Sequence, residues 1–127
     1  MQVTMFYAGV LALLFLALSV QTIRMRAKHN VNLGDGGNPA MQRIMRGHGN
    51  FAEYVPMVLI LMALLETQNA GAVLMNVIGG TLLVGRLIHG YTFAMTEKFF
   101  AGRVAGASLT LLSLGIAGVA CLAKLAA

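Results

Sequence analysis

Long apolar stretches alternate with short polar segments along the whole chain. The first runs from Val3 to Ile23 without a charged residue, and three similar stretches follow. About 20 apolar residues in a helix are enough to cross a hydrocarbon core of about 30 Å. The pattern therefore predicts one all-α integral membrane domain over residues 1–127. Its four transmembrane helices are expected at about 3–26, 39–66, 72–93 and 102–123.

The first apolar stretch also has to be compared with a signal peptide. A signal peptide carries its positive charges before the apolar run. Here Arg24, Arg26 and Lys28 come after it. The order of charges favours a transmembrane helix that stays in the protein.

Turn-forming residues mark the helix limits. Residues 32–38 are rich in glycine, asparagine and aspartate and predict a loop. Asn38 and Pro39 predict the N-cap and first residue of helix 2. Pro56 lies inside that helix and is expected to kink it. The third loop is expected around residues 96–98.

Composition supports the membrane interpretation. Hydrophobic residues make up 58% of the chain and charged residues 10%, whereas a soluble domain carries about 25% charged residues. The net charge is +5, but no basic run is interleaved with aromatic residues. The basic residues lie at the ends of apolar stretches, so they indicate membrane orientation and not a nucleic-acid partner.

The positive residues are concentrated around loops 1 and 3. The opposite side has Lys124 and the acidic Glu66. By the positive-inside rule, loops 1 and 3 face the cytoplasm and both termini lie outside. The basic residues that set this orientation are Arg24, Arg26, Lys28, Arg43, Arg46, Arg86, Lys98 and Arg103.

A polar stripe follows one face of predicted helix 2, made of Arg43, Arg46, Asn50, Glu53 and Tyr54. Their spacing of three, four, three and one keeps them on one side of a helix. Glu53 is expected roughly 10 Å inside the hydrocarbon. A charge at that depth costs about 2.5–3.5 kcal/mol and needs a partner or a wet cavity. A structural ion pair of Glu53 with Arg46, or with an arginine from another helix, is one way to meet this need.

Other cations are expected at the same membrane level as the stripe. Arg24 ends helix 1, Arg86 and His89 lie near the end of helix 3, and Arg103 opens helix 4. Together they leave an excess of positive charge, which suits an anionic ligand held by carboxylate contacts. The histidines lack metal-ligand spacing on one helix, so no metal is expected. No nucleophile triad or phosphate loop is present, so any chemistry must come from a bound reagent.

These residues resemble the membrane-associated proteins in eicosanoid and glutathione metabolism, the MAPEG family, over essentially the whole chain. The helix 2 signature is matched by Arg43-x-x-Arg46-Gly47-His48-Gly49-Asn50-x-x-Glu53-Tyr54-x-Pro56. The helix 3 motif is matched by Gly85-Arg86-x-x-His89, and the end of helix 1 by Ile23-Arg24-Met25-Arg26. The loop Gly34-Asp35-Gly36-Gly37 resembles small bacterial inner-membrane members.

The resemblance implies a homotrimer in the bacterial inner membrane, in contact with lipid. Glutathione, as cosubstrate, would lie between neighbouring subunits in a cleft that opens toward the cytoplasm. Glu53 would meet its amino group and the arginines its carboxylates. The implied binding residues are Arg24, Arg43, Arg46, His48, Asn50, Glu53, Tyr54, Arg86 and His89.

The resemblance also implies a catalytic residue and its substrate class. Arg103 matches the arginine that stabilises the glutathione thiolate, since a fixed cation lowers the pKa of a thiol. The cosubstrate would be a lipophilic small molecule. One position departs from the family pattern, because Phe93 stands where the catalytic members carry a tyrosine.

Three functions follow as hypotheses. The first is a glutathione transferase or peroxidase acting on lipophilic electrophiles or hydroperoxides. The second is a non-catalytic membrane protein that binds glutathione or another small anion, which Phe93 favours. The third is a four-helix cation exporter. That class needs an embedded acid in helix 1, and helix 1 is uncharged through Ile23.

Overall fold

The computed structural model describes residues 1–96 and 100–126 as a bundle of four helices. Each described helix is long and apolar enough to cross a membrane. The predicted fold class, an all-α bundle of four transmembrane helices, is confirmed. Glu97 and Lys98 of the expected third loop lie outside the described residues. The helices are α1 (Gln2–His29), α2 (Pro39–Thr67), α3 (Ala72–Met95) and α4 (Phe100–Leu125).

Local signals in the sequence set the start of α2. The Asn38 side chain accepts hydrogen bonds from the backbone nitrogens of Ala40 at 2.9 Å and Met41 at 3.1 Å. It thereby satisfies donors that lack partners at a helix start, and the predicted N-cap is confirmed. Further along, α2 continues as one helix through Pro56.

The start of α1 is fastened to the end of α2. The Glu66 carboxylate accepts hydrogen bonds from the backbone nitrogens of Val3 and Thr4, both at 2.9 Å. The terminal ammonium of Met1 lies 3.8 Å from the same carboxylate. An acidic side chain stabilises a helix N-terminus both as an acceptor and through the helix dipole. Glu66 therefore has a structural role outside the polar stripe.

Helices α2 and α3 form the centre of the bundle. Each contacts the three other helices, while α1 and α4 do not approach each other in the described part of the chain. Core side chains such as Leu11, Val58 and Leu82 are fully buried. Leu13 and Leu122, on the outer helices, are each 69% exposed. Such an exposed apolar surface is what lipid solvates.

Helices α3 and α4 approach each other closely where Gly85 faces Gly106. A Cβ atom at Gly85 would lie 3.0 Å from the backbone oxygen of Gly106. Gly102, one turn before Gly106, is also buried. Small residues let membrane helices approach each other closely. This contact holds the polar ends of α3 and α4 together.

Candidate functional site

The centre of the site is a buried guanidinium. Arg86 is 1% exposed, and its Nη1 donates a hydrogen bond to Asn50 Oδ1 at 2.9 Å. Its Nε and Nη2 are also buried and have no hydrogen-bond partner among the residues that the structure describes. A charged group with unsatisfied buried donors is costly in a low-dielectric interior. The site is therefore suited to an acceptor or anion beyond those supplied by residues 1–96 and 100–126.

A cavity of 40 Å³ lies against this guanidinium. Asn50 and Tyr54 of α2 line one side, and Ala107, Thr110 and Leu111 of α4 line the other. A water molecule needs about 30 Å³ of liquid volume, so the cavity matches one small polar group. It does not hold a tripeptide within one subunit.

The polar stripe of α2 continues from this cavity onto the subunit surface. Arg46 Nη1 lies 3.6 Å from Glu53 Oε1, and the two side chains are 65% and 54% exposed. The ion pair considered from the sequence is therefore present. The described helices leave the Glu53 side chain exposed in the single subunit.

The ends of α3 and α4 bring His89 and the Arg103 guanidinium close together. His89 is 5% exposed and lies near the guanidinium groups of Arg86, Arg103 and Arg46. His89 stacks on Phe93 with ring centroids 4.5 Å apart. Arg103 Cζ lies 4.8 Å from the Phe93 ring centroid, within cation–π range. Three helices thus contribute guanidinium groups to one region.

Three of the predicted site residues lie apart from this region or at its edge. Arg43 is half-buried, and its buried Nε has no hydrogen-bond partner among the described residues. His48 faces α1, where its Nε2 lies 3.0 Å from Ser19 Oγ and its ring stacks on Phe15. Arg24 is exposed and lines a groove between α1 and α3.

The sequence did not predict that α4 residues other than Arg103 take part in the site. Ala107 and Thr110 line the cavity, and they follow Arg103 by four and seven residues. That spacing places them on the face of α4 that carries Arg103. Thr110 by itself would be weak evidence for a binding site, because its hydroxyl donates a hydrogen bond to the Gly106 oxygen of its own helix at 2.9 Å.

The fold and the site together define an integral membrane protein with four helices and a cationic polar site at one end of the bundle. The profile of the MAPEG family matches residues 4–123. The chain belongs to the MAPEG family, and at the family level it is a glutathione-related membrane protein.

Two similar relatives are bacterial. Inner membrane protein YecN of Escherichia coli strain K12 is 37% identical over 108 residues, which cover 85% of this chain and 81% of the relative. The protein of the same name from Escherichia coli O6:H1 has the same identity and coverage. No solved structure gives a significant match.

Proposed function

We propose that this protein binds glutathione at the Arg86 site and either conjugates it through its sulfur to lipophilic electrophiles or uses it to reduce lipophilic hydroperoxides. The observation that carries the proposal is the buried Arg86 guanidinium, which has two donor atoms without a partner in the described part of the chain. A carboxylate is the natural complement of such a guanidinium. Glutathione carries two carboxylates and one ammonium group.

The charge pattern along α2 fits the rest of the tripeptide. One carboxylate would enter the cavity at Arg86 and Asn50, and the other would meet Arg46. Glu53 is exposed beside Arg46 and would accept the ammonium group. Tyr54 lines the same cavity. Arg43 and His89 extend this polar region, whereas His48 and Arg24 face other surfaces of their own subunit.

The proposed assembly is a homotrimer with the ligand between subunits. Two observations support it: the 40 Å³ cavity is too small for glutathione alone, and the Arg46–Glu53 pair is exposed on a transmembrane helix. Exposed charges at membrane depth are costly, so a neighbouring subunit is expected to cover them. The site would open on the side of loops 1 and 3, which we propose to be cytoplasmic.

Arg103 is the proposed catalytic residue. A cation beside the glutathione sulfur favours the thiolate over the thiol. In conjugation, the thiolate forms a carbon–sulfur bond as the leaving group departs with the bonding electrons, and the thiol proton passes to solvent. In peroxide reduction, two glutathione molecules are oxidised to the disulfide, and the hydroperoxide yields an alcohol and water.

Calorimetric titration of the detergent-solubilised protein with reduced glutathione tests the binding step. Saturable binding is expected, with strong loss in Arg46→Ala and Glu53→Gln. Both positions are exposed, so the variants should fold. Lys28→Gln, which removes an exposed cation of α1, is the matched control and should bind normally. Absence of both heat and thermal stabilisation at millimolar glutathione would refute the proposal.

A non-catalytic binding protein is the second candidate, favoured by the contacts of Phe93. Its ring contacts both His89 and Arg103 and offers no hydroxyl to a sulfur atom. Turnover against a panel of electrophiles and hydroperoxides separates the two candidates. Turnover that Arg103→Gln abolishes, with glutathione affinity retained, identifies the enzyme. Tight binding without any turnover identifies the binding protein.

A further inference from the structure

The half-buried Phe93 side chain lies where α2, α3 and α4 meet. On its own helix, the ring stacks on His89 with centroids 4.5 Å apart and planes 28° from parallel. Toward α2, a Cβ atom at Gly47 would lie 2.7 Å from the Phe93 Cβ, so a glycine is needed for this close approach. Toward α4, Arg103 Cζ lies 4.8 Å from the ring centroid. Contacts from three helices therefore fix the position of the Phe93 ring.

The contact between Phe93 and Arg103 is of the cation–π type. The face of an aromatic ring carries partial negative charge and attracts a guanidinium within about 6 Å of the centroid. This attraction is stronger where water is excluded, and the neighbouring His89 is 5% exposed. A phenyl ring has no hydrogen-bonding group. Phe93 therefore attracts the Arg103 cation without using the N–H donors that a sulfur anion would accept.

We propose that Phe93 is a positioning residue whose ring holds the Arg103 guanidinium toward the glutathione sulfur. This role rests on the proposed function, in which Arg103 stabilises the thiolate. The attraction between a cation and an anion falls with distance, so a long arginine side chain is effective only where a neighbour keeps it near the sulfur. The Phe93 ring is such a neighbour. Because the ring has no hydroxyl, Phe93 would act on the sulfur through Arg103.

Thiolate formation on the glutathione-saturated protein tests this role. A pH titration of the ultraviolet absorbance gives the apparent pKa of the bound thiol, and subtracting the titration without glutathione removes the signals of Cys121 and the tyrosines. Phe93→Leu keeps an apolar side chain but removes the aromatic face. If the guanidinium then moves from about 4 Å to about 6 Å from the sulfur, the thiol pKa rises by about one at an effective dielectric constant of about 20. Glutathione affinity measured below that pKa should stay unchanged, because the thiol form binds there.

A fluorinated series separates the charge effect from packing. Fluorine withdraws electrons from the ring face and so weakens its attraction for a cation, with little change in ring size. Replacement of Phe93 by mono-, di- and trifluorinated phenylalanine should raise the pKa of the bound thiol stepwise toward the Phe93→Leu value. Phe6 is the matched control, because its ring pairs with Tyr7 near the start of α1. The same series at Phe6 should leave the thiol pKa unchanged.

The outcomes distinguish this role from the proposed function. A stepwise rise of the thiol pKa in the Phe93 series supports both. Glutathione binding with a lowered thiol pKa that is the same in the wild type and in every fluorinated Phe93 variant overturns the positioning role and leaves the proposed function standing. Absence of glutathione binding in the wild type overturns both. Because fluorination keeps the ring and its packing, the series decides the question even if Phe93→Leu does not fold.

Discussion

Gly106 of α4 lies directly against His89 of α3. A Cβ atom at Gly106 would lie 2.7 Å from the His89 Cβ and 2.8 Å from its backbone nitrogen. Real side chains do not pack this closely, so only a glycine permits this helix separation. Arg103 precedes Gly106 by less than one helical turn. The contact therefore fixes how near the Arg103 guanidinium lies to the polar end of α3.

Replacing Gly106 by alanine should push α4 away from α3. We expect a loss of about 1–3 kcal/mol of stability from overpacking, together with weaker glutathione binding. Gly115→Ala on the same helix is the control, because a Cβ atom there meets nothing within 4 Å. Thermal unfolding in detergent and calorimetric titration measure the two effects. Equal melting temperatures for the two variants would show that the helices accommodate the methyl group.

Asn50 is expected to serve both stability and binding. It supplies the hydrogen bond that the structure shows for Arg86, so Asn50→Ala leaves a buried guanidinium with another unpaired donor. The expected cost is about 1–3 kcal/mol, along with a large loss of glutathione affinity because Arg86 is no longer oriented.

Ser19→Ala is the matched control for Asn50→Ala. Ser19 Oγ lies 3.0 Å from His48 Nε2, so this pair also links two helices but lies outside the site. Loss of the Ser19–His48 hydrogen bond should reduce the melting temperature and leave the affinity for glutathione unchanged. If both variants lose affinity to the same degree, Asn50 acts only through general stability.

Glu66→Ala should release the start of α1 from the end of α2. Two backbone donors, on Val3 and Thr4, lose their acceptor, and a helix cap is worth about 0.5–2 kcal/mol. Thr67→Ala is the control, since its exposed hydroxyl bonds the Leu64 oxygen of its own helix. Hydrogen exchange of the first α1 amides should speed up in Glu66→Ala alone. Unchanged exchange in that variant would show that the carboxylate does not hold the helix start.

The four helices were predictable because a membrane span demands a long apolar run that local sequence displays. The start of α2 was predictable for a similar reason, since Asn38 caps a helix through its own neighbouring residues. The stripe of Arg46, Asn50 and Glu53 follows from helical periodicity alone. These features depend on residues close together in sequence.

The depth of each side chain was not predictable in the same way. Asn50 of α2 accepts a hydrogen bond from Arg86 of α3, whereas Glu53, one turn further along α2, remains exposed. Helical periodicity places Asn50 and Glu53 on the same face of α2. It does not predict which neighbouring helix packs against each residue. His48 belongs to the same motif, yet its partners Ser19 and Phe15 are on α1. Burial depends on packing between helices, which no local pattern in one sequence records.

The exposed face of α2 allows the proposed homotrimer to be tested at a residue that is not one of the proposed glutathione contacts. Met57 is 52% exposed and follows Glu53 by about one turn, so it belongs to the same face. Met57→Trp adds bulk there while keeping the helix apolar enough to insert. If subunits meet through this face, the variant should shift from trimer to smaller species in light scattering after size-exclusion chromatography.

Leu13→Trp is the control for this assembly test. Leu13 is also exposed and apolar, at 69%, but lies on α1, which we expect to face lipid. The Leu13→Trp variant should leave the trimer intact. It therefore separates a general effect of adding tryptophan to a membrane helix from the loss of a subunit contact. Because the Arg46–Glu53 pair lies on the face of Met57, dissociation should also expose these charges and weaken glutathione binding. A trimer unaffected by Met57→Trp would place the subunit contact on another helix, and the exposed ion pair would then need a different partner.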